Sequence, residues 1–207
     1  MTDAVSRSAD ELSVEFWEGR YQDGTTGWDL GQPAPAFVSF LQSDQAPKPG
    51  RIAVIGSGRG HDALWFAAHG FEVVGFDFAP SAIADARANA TSRNLTNIQF
   101  LQRDIFSLLP EFAHQFDYVL EHTCFCAIAP ELRPQYVEIA AGLLRPEGEL
   151  IALFWAHDRP GGPPFGVGLD EIESLLTARF EMKSLTKVDQ SPPNRANEEY
   201  LGRFWVR

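Results

Sequence analysis

An apolar run, Arg51-Ile52-Ala53-Val54-Ile55, breaks off into Gly56-Ser57-Gly58-Arg59-Gly60, and a later run, Val73-Val74-Gly75-Phe76, ends on Asp77. The pattern predicts a strand, a glycine turn, a helix, a second strand and a terminal carboxylate. Glycines allow the turn to tighten and bring backbone N–H groups close to a ligand. An acid ending the neighbouring strand can accept both hydroxyls of a ribose. The stretch therefore points to an adenosine-containing cofactor. A dinucleotide fingerprint places its third glycine one residue later, where this chain has His61.

Around this unit, apolar runs alternate with helical stretches from Arg51 onward. Strands are predicted over 51–55, 72–76, 98–101, 116–120 and 148–154, with helices near 61–69, 81–93 and 133–144. Short apolar strands separated by helices imply a parallel sheet covered on both faces. Ser81, after Pro80, suits a helix start, and Arg145-Pro146-Glu147-Gly148 suits a turn. A long loop, 155–168, then leads to a helix at 170–177 and strands at 180–186 and 200–206. Long loops in compact domains are more often functional than accidental. With 207 residues the expectation is a single domain, 1–207. Residues 1–45 supply a tail and a lid segment, with helices over 14–21 and 36–41, and residues 51–207 supply the Rossmann-like core.

Charge and cysteine content narrow the partners. A net charge of −11, from 17 basic and 28 acidic side chains, argues against nucleic acid and against an anionic membrane surface. Cys124 and Cys126 stand too close in sequence to staple a fold and are too few for a zinc site, so free thiols in a reducing compartment are expected. No apolar stretch approaches the roughly 20 residues of a membrane span. The polar, acid-bearing start of the chain resembles neither a secretory signal nor a transit peptide, which leaves the cytoplasm as the expected location.

Several other residues fall where a ligand would lie. Asp104, just past the third strand, can accept from an adenine amino group with Ile105 packed on the ring; it can equally be a solvated loop acid. His122, at the end of the fourth strand, is either a base or a hydrogen-bonded structural group. Phe16, Trp17, Tyr21 and Trp28 form an aromatic cluster outside the sheet, with Trp17 and Tyr21 on one helix face. They pack the segment onto the domain, and their rings can also cover a sulfonium ion by cation–π attraction.

Taken together, these blocks resemble the thiopurine S-methyltransferase family, and within it the thiol, thiocyanate and halide methyltransferase branch. The likeness is carried by Phe16-Trp17-Glu18 through Gly27-Trp28-Asp29, by Val54-Ile55-Gly56-Ser57-Gly58, and by Phe116-Asp117 through Thr123-Cys124-Phe125-Cys126-Ala127-Ile128. Arg133-Pro134, Gly161-Gly162-Pro163-Pro164-Phe165 and Leu201-Gly202-Arg203-Phe204-Trp205 extend it to the C-terminus. The resemblance implies an α/β, Rossmann-like class I methyltransferase: a seven-stranded, mostly parallel sheet with helices on both faces, an antiparallel last strand and an N-terminal helical lid. It implies S-adenosylmethionine (SAM) as cofactor, with Trp17, Tyr21, Trp28, Gly56, Asp77, Asp104, Ile105 and His122 lining its site. Phe165 and Arg203 match positions near the methyl acceptor. Glu121-His122 departs from the branch's Asp-Tyr pair, and Phe165 lacks the hydroxyl of a tyrosine found there, which weakens the case for halide or thiocyanate.

The expected activity is methyl transfer to a small soft nucleophile, a thiol above all, by a monomer or weak homodimer that requires no metal. Arg203 is expected to draw in an anionic acceptor while Phe165 and residues 155–168 wall the pocket. Alternatives are an oxygen or nitrogen acceptor served by His122 or Glu121 as base, a halide or thiocyanate acceptor, an NAD-dependent oxidoreductase, and a SAM-binding regulator without activity.

Overall fold

The computed structural model describes residues 11–207. Ser13 opens the first helix, α1 (Val14–Gln22), its side chain accepting from the Phe16 N–H. Pro35, with no N–H to lose, occupies the first turn of α2 (Pro35–Leu41). The alternating part follows in order: β1 (Arg51–Ile55), α3 (His61–Ala68), β2 (Glu72–Asp77), α4 (Pro80–Ser92), β3 (Ile98–Gln102), β4 (Phe116–His122), α5 (Arg133–Leu143), β5 (Leu144–Trp155), α6 (Leu169–Leu176), β6 (Phe180–Lys187) and β7 (Glu199–Val206).

All seven strands join one sheet in the order β3-β2-β1-β4-β5-β7-β6. Pairings from β3 to β5 are parallel, and β7 slots between β5 and β6 antiparallel to both. The order reverses beside β1, where the chain first runs outward to β3 and then returns to β4. A crevice opens at such a reversal, past the carboxyl ends of the strands.

Side-chain alternation along the strands builds a core on each face. Ala53 and Ile55 join Phe76, Val119, Tyr136 and Phe154 on one side, whereas Ile52 and Val54 join Phe37, Phe66, Phe100 and Ile151 on the other. Burying one such Phe, Ile or Leu stabilises the fold by roughly 1.5–3 kcal/mol, so the strands are fixed in register from both sides.

Three local expectations differ from the structure. β4 runs through His122 rather than stopping at 120, because Glu121 and His122 pair with Ala152 and Leu153 of β5. The expected turn at 145–148 lies inside β5 as an irregularity, the register jumping from Phe116↔Leu144 to Tyr118↔Glu149. Ser81 does not cap α4; Ala79 holds that position with Pro80 in the first turn. Among the described residues no helix is long and apolar enough to cross a membrane.

Candidate active site

A cavity of about 700 Å³ occupies the crevice. Trp17, Tyr21, Trp28, Gly56, Asp77, Asp104, Ile105 and His122 all line it. Its volume falls within the roughly 300–1,000 Å³ typical of small-molecule sites.

Over β1, β2 and β3 the wall is polar and ordered by backbone. Gly56 and Gly58 take φ values of +63° and +53°, a region that side chains disfavour. Space is equally restrictive, since a Cβ on Gly56 would stand 2.9 Å from Cys124 Sγ. Asp77, ending β2, accepts from Gly58 N–H at 2.8 Å and from Ala79 N–H at 2.9 Å. Each carboxylate oxygen keeps a further lone pair for a ligand hydroxyl. Burial pushes the Asp77 carboxyl upward, while the N–H groups of Ala79, Gly58 and Phe78 oppose that shift. Asp104 caps a short 3₁₀ turn by accepting from Phe106 N–H at 2.9 Å, which seats Ile105 against the cavity.

The lid is an aromatic cluster. Trp28 lies edge-on to Trp17 and to Tyr21, at centroid distances of 5.2 and 5.6 Å. Glu18 docks α1 onto α4 by accepting from Ser81 N–H at 2.9 Å and Ser81 Oγ at 2.5 Å. A carboxylate at a helix N-terminus is favoured by the free N–H groups there. Glycine turn, terminal carboxylate and aromatic rings together suit a nucleoside that carries a cationic sulfur.

Over β4 and β5 the wall is different. Cys126, Ala127, Ile128, Ala129, Leu132, Trp155, Pro163 and Pro164 present apolar surface. Burial pushes the Cys126 thiol up to about 12 and the Cys124 thiol well above its usual value, so both stay uncharged. His122 is held from both ring nitrogens: Nδ1 meets Asp62 at 2.7 Å and Nε2 meets the Arg195 guanidinium at 3.0 Å. A guanidinium can only donate, so Nε2 accepts and the proton sits on Nδ1, facing Asp62. With that lone pair engaged, His122 is a structural group here and not a free base. Glu121 is 1% exposed, accepts from Tyr136 Oη at 2.7 Å and Phe125 N–H at 3.0 Å, and does not line the cavity.

Two expected acceptor contacts lie elsewhere. Phe165 packs behind the wall with Leu12 and Ala129, and it is Pro163 and Pro164 that reach the cavity. Arg203 is buried against Glu149, donating from Nη2 at 2.8 Å and also from Nε, while Nη1 donates to the Gln45 carbonyl at 3.2 Å. The reason is register. Antiparallel β7 meets the cavity edge at Glu199, opposite Trp155, and Arg203 lies opposite Ile151. Four residues of strand place it about 13 Å from that edge.

Arg195 was missed by sequence reasoning. It is fully buried, donates to the Trp28 carbonyl at 2.7 Å and to Glu199 at 3.3 Å, and stacks 4.9 Å from Trp155. Its segment, Pro193–Arg195, is a 3₁₀ turn without apolar periodicity, so no local signal marks it.

The family model described as thiopurine S-methyltransferase matches residues 12–204. A probable thiol methyltransferase 2 of Arabidopsis thaliana is 35% identical over 205 residues, 98% of this chain and 89% of that protein. Thiocyanate methyltransferase 1 of Brassica oleracea is 35% identical over 191 residues, 91% of this chain and 83% of that protein. Among solved structures, the Burkholderia thailandensis 1,6-didemethyltoxoflavin-N1-methyltransferase with bound S-adenosylhomocysteine superposes with a TM-score of 0.77 at 21% identity, covering 99% of this chain and 93% of its own.

Proposed function

We propose, from the premise that this chain belongs to the thiopurine S-methyltransferase family and is a SAM-dependent methyltransferase, that its acceptor is an uncharged organic thiol. The observation that carries the choice is the apolar, unpaired-charge-free wall over β4 and β5. Trp17, Tyr21, Trp28, Gly56, Asp77, Asp104, Ile105 and His122 are the residues proposed to hold the cofactor.

When bound, SAM supplies a methyl group already activated on a sulfonium, so the protein's task is alignment and exclusion of water. Asp77 and the Gly56–Gly58 turn fix the nucleoside end. Trp17, Tyr21 and Trp28 close over it and keep water out. On the acceptor side, Ile128, Leu132, Pro163 and Pro164 gather the apolar body of a thiol and leave its sulfur facing inward. The thiol proton leaves to water, because a thiol pKa of about 8.5 gives some thiolate at neutral pH without a dedicated base. The apolar wall from Ile128 to Pro164 would favour the methyl transfer, because the acceptor's negative charge and the donor's positive charge both disappear as the methyl's bond passes from one sulfur to the other.

A small anion has no apolar body to bury, and among the described residues no arginine or lysine lines the wall over β4 and β5; Arg20 and Arg103 line the cavity from α1 and from just past β3. Arg203 is paired with Glu149 outside the cavity, Arg195 is spent on His122, Trp28 and Glu199, and Glu15 adds a negative charge at the rim. The two free, uncharged cysteines suit the reducing cytoplasm, and monomer or weak homodimer remains the proposed state.

Initial rates of methyl transfer to an alkyl or aryl thiol, hydrosulfide, thiocyanate and iodide test the reading. Apolar thiols should exceed thiocyanate and iodide in kcat/KM by about 100-fold, the worth of burying a few methylene groups. Preference for thiocyanate or iodide would overturn the acceptor choice and leave the methyltransferase assignment standing.

A further inference from the structure

Arg59, the fourth residue of the Gly56–Gly60 turn, stands between Gly58 and Gly60, and nothing in cofactor binding by the backbone of a glycine turn requires a side chain there. Its guanidinium is nevertheless held from two sides, by the lid segment and by α4. Nη1 donates to Asp29 Oδ2 at 2.6 Å and to Thr26 Oγ1 at 3.1 Å, both in the segment that follows α1. Nε donates to Asp85 of α4 at 2.9 Å. The plane lies 5.3 Å over the Tyr21 ring. The Arg59 carbonyl accepts from Asn89, also in α4, at 3.2 Å.

Asp29 is the receiving end. Its second oxygen accepts from Gly31 N–H at 2.8 Å and meets His61 Nε2 at 3.2 Å. The His61 hydrogen bond, with Arg59 and Gly31 adding to it, holds the Asp29 carboxyl well below the usual carboxylate range. Asp29 directly follows Trp28, whose carbonyl is fixed from the other side by Arg195. Trp28 in turn supports Trp17 and Tyr21 edge-on.

We infer that Arg59 is a positioning residue which latches the aromatic lid to the glycine turn, so that release of the bound nucleoside requires the Arg59–Asp29 pair to open. Ligand contact and lid contact originate from the same short turn, and a turn shaped by ligand therefore also presents the latch. The pair is charge-assisted, short and only partly exposed, with side-chain exposures of 26% and 12%. It differs in this from the outer arm to Asp85, which is 50% exposed and touches no part of the lid. This inference rests on the cofactor and is independent of which nucleophile takes the methyl group.

The test is the dissociation rate of S-adenosylhomocysteine from the full chain, measured by stopped-flow displacement, with Kd by calorimetry and ligand-free melting as controls. Arg59→Gln and Asp29→Asn should each raise the dissociation rate at least about tenfold, with the association rate changing less than about threefold. Combining them should add little beyond the larger single effect, since both remove one interaction. Arg59→Lys should recover part of the loss by keeping the charge. Asp85→Asn, which severs only the outer arm, should leave dissociation within about twofold of the parent, whatever it does to melting. Raising salt should speed release from the parent and hardly affect Arg59→Gln. A folded Arg59→Gln variant that releases ligand at the parental rate would overturn the latch, as would additive single effects or an Asp85→Asn variant equal to Asp29→Asn. Failure of the parent itself to bind S-adenosylhomocysteine would instead remove the cofactor assignment and the latch with it.

Discussion

The cavity has two unlike halves. Over β1, β2 and β3, two carboxylates are set by local backbone, Asp77 on Gly58 and Ala79 and Asp104 on Phe106, beside the apolar Phe78, Ile105 and Phe106. Over β4 and β5, the polar groups turn away from the opening or into each other, and what faces inward is Ala127, Ile128, Leu132, Pro163 and Pro164. The difference matches a division of labour. A nucleoside is recognised by directional bonds, whereas a soft nucleophile needs shape, a dry surround and a line of attack. Only the first half therefore has to be written in particular polar residues.

The largest expected effect separates Arg203 from either half. Arg203→Ala leaves Glu149 buried and unpaired, which should cost about 3–5 kcal/mol of stability, read as a fall in denaturant midpoint. Acceptor kcat/KM and S-adenosylhomocysteine affinity of the folded fraction should stay within about twofold of the parent. A rise in acceptor KM alone would place a cation in the apolar half and break the comparison.

Next comes Asp77→Asn. The new amide cannot accept from both Gly58 and Ala79, and it offers a donor where hydroxyls donate, so S-adenosylhomocysteine affinity should drop about 30–100-fold, or 2–3 kcal/mol. Calorimetry checks this, and an unchanged acceptor KM at saturating SAM would sharpen the separation of the halves.

The smallest effect concerns the floor beneath the apolar half. Burial raises Glu121 from 4.5 to about 7, against the pull of Phe125, Tyr136 and His122. Between those two values the folded protein keeps a proton that the unfolded chain has released, so this group's contribution to stability is full below about 4.5. It is lost as pH rises and is gone above about 7. Glu121→Gln retains an acceptor for Phe125 N–H and lacks the titration. Its stability relative to the parent should improve by about 1–3 kcal/mol from pH 4 to pH 8, measured by urea unfolding at each pH. A difference that stays flat across that interval would mean that folding does not shift the Glu121 carboxyl.

What could be read from the chain beforehand follows the same division. Gly56, Gly58 and Asp77 were legible because their geometry is local: a turn, a helix start and the end of one strand. The aromatic lid was legible because Trp17 and Tyr21 share a face of one short helix. The antiparallel run of the last strand came through the family likeness and not through periodicity, whereas the order of the strands, with β7 between β5 and β6, is set by pairings of distant segments that no local pattern announces. Arg203 was misplaced because its position depends on how β7 registers against β5, a pairing of distant segments that residue type does not encode. Glu121 and His122 looked like loop residues because they are polar, yet hydrogen bonding to β5 keeps them in the strand. Arg195 escaped because its partners His122, Trp28 and Glu199 gather around it only in three dimensions. Arg59 sat inside the most conspicuous motif and drew no notice, since attention went to the glycines around it.

Of the five tryptophans, Trp17, Trp28 and Trp155 face the ligand cavity, while Trp65 and Trp205 do not. Occupancy must change the surroundings of those three indoles. The protein therefore carries an intrinsic fluorophore set at its own binding site, and replacing Trp65 and Trp205 by phenylalanine would leave an emission signal reporting only on the cavity, with no dye attached.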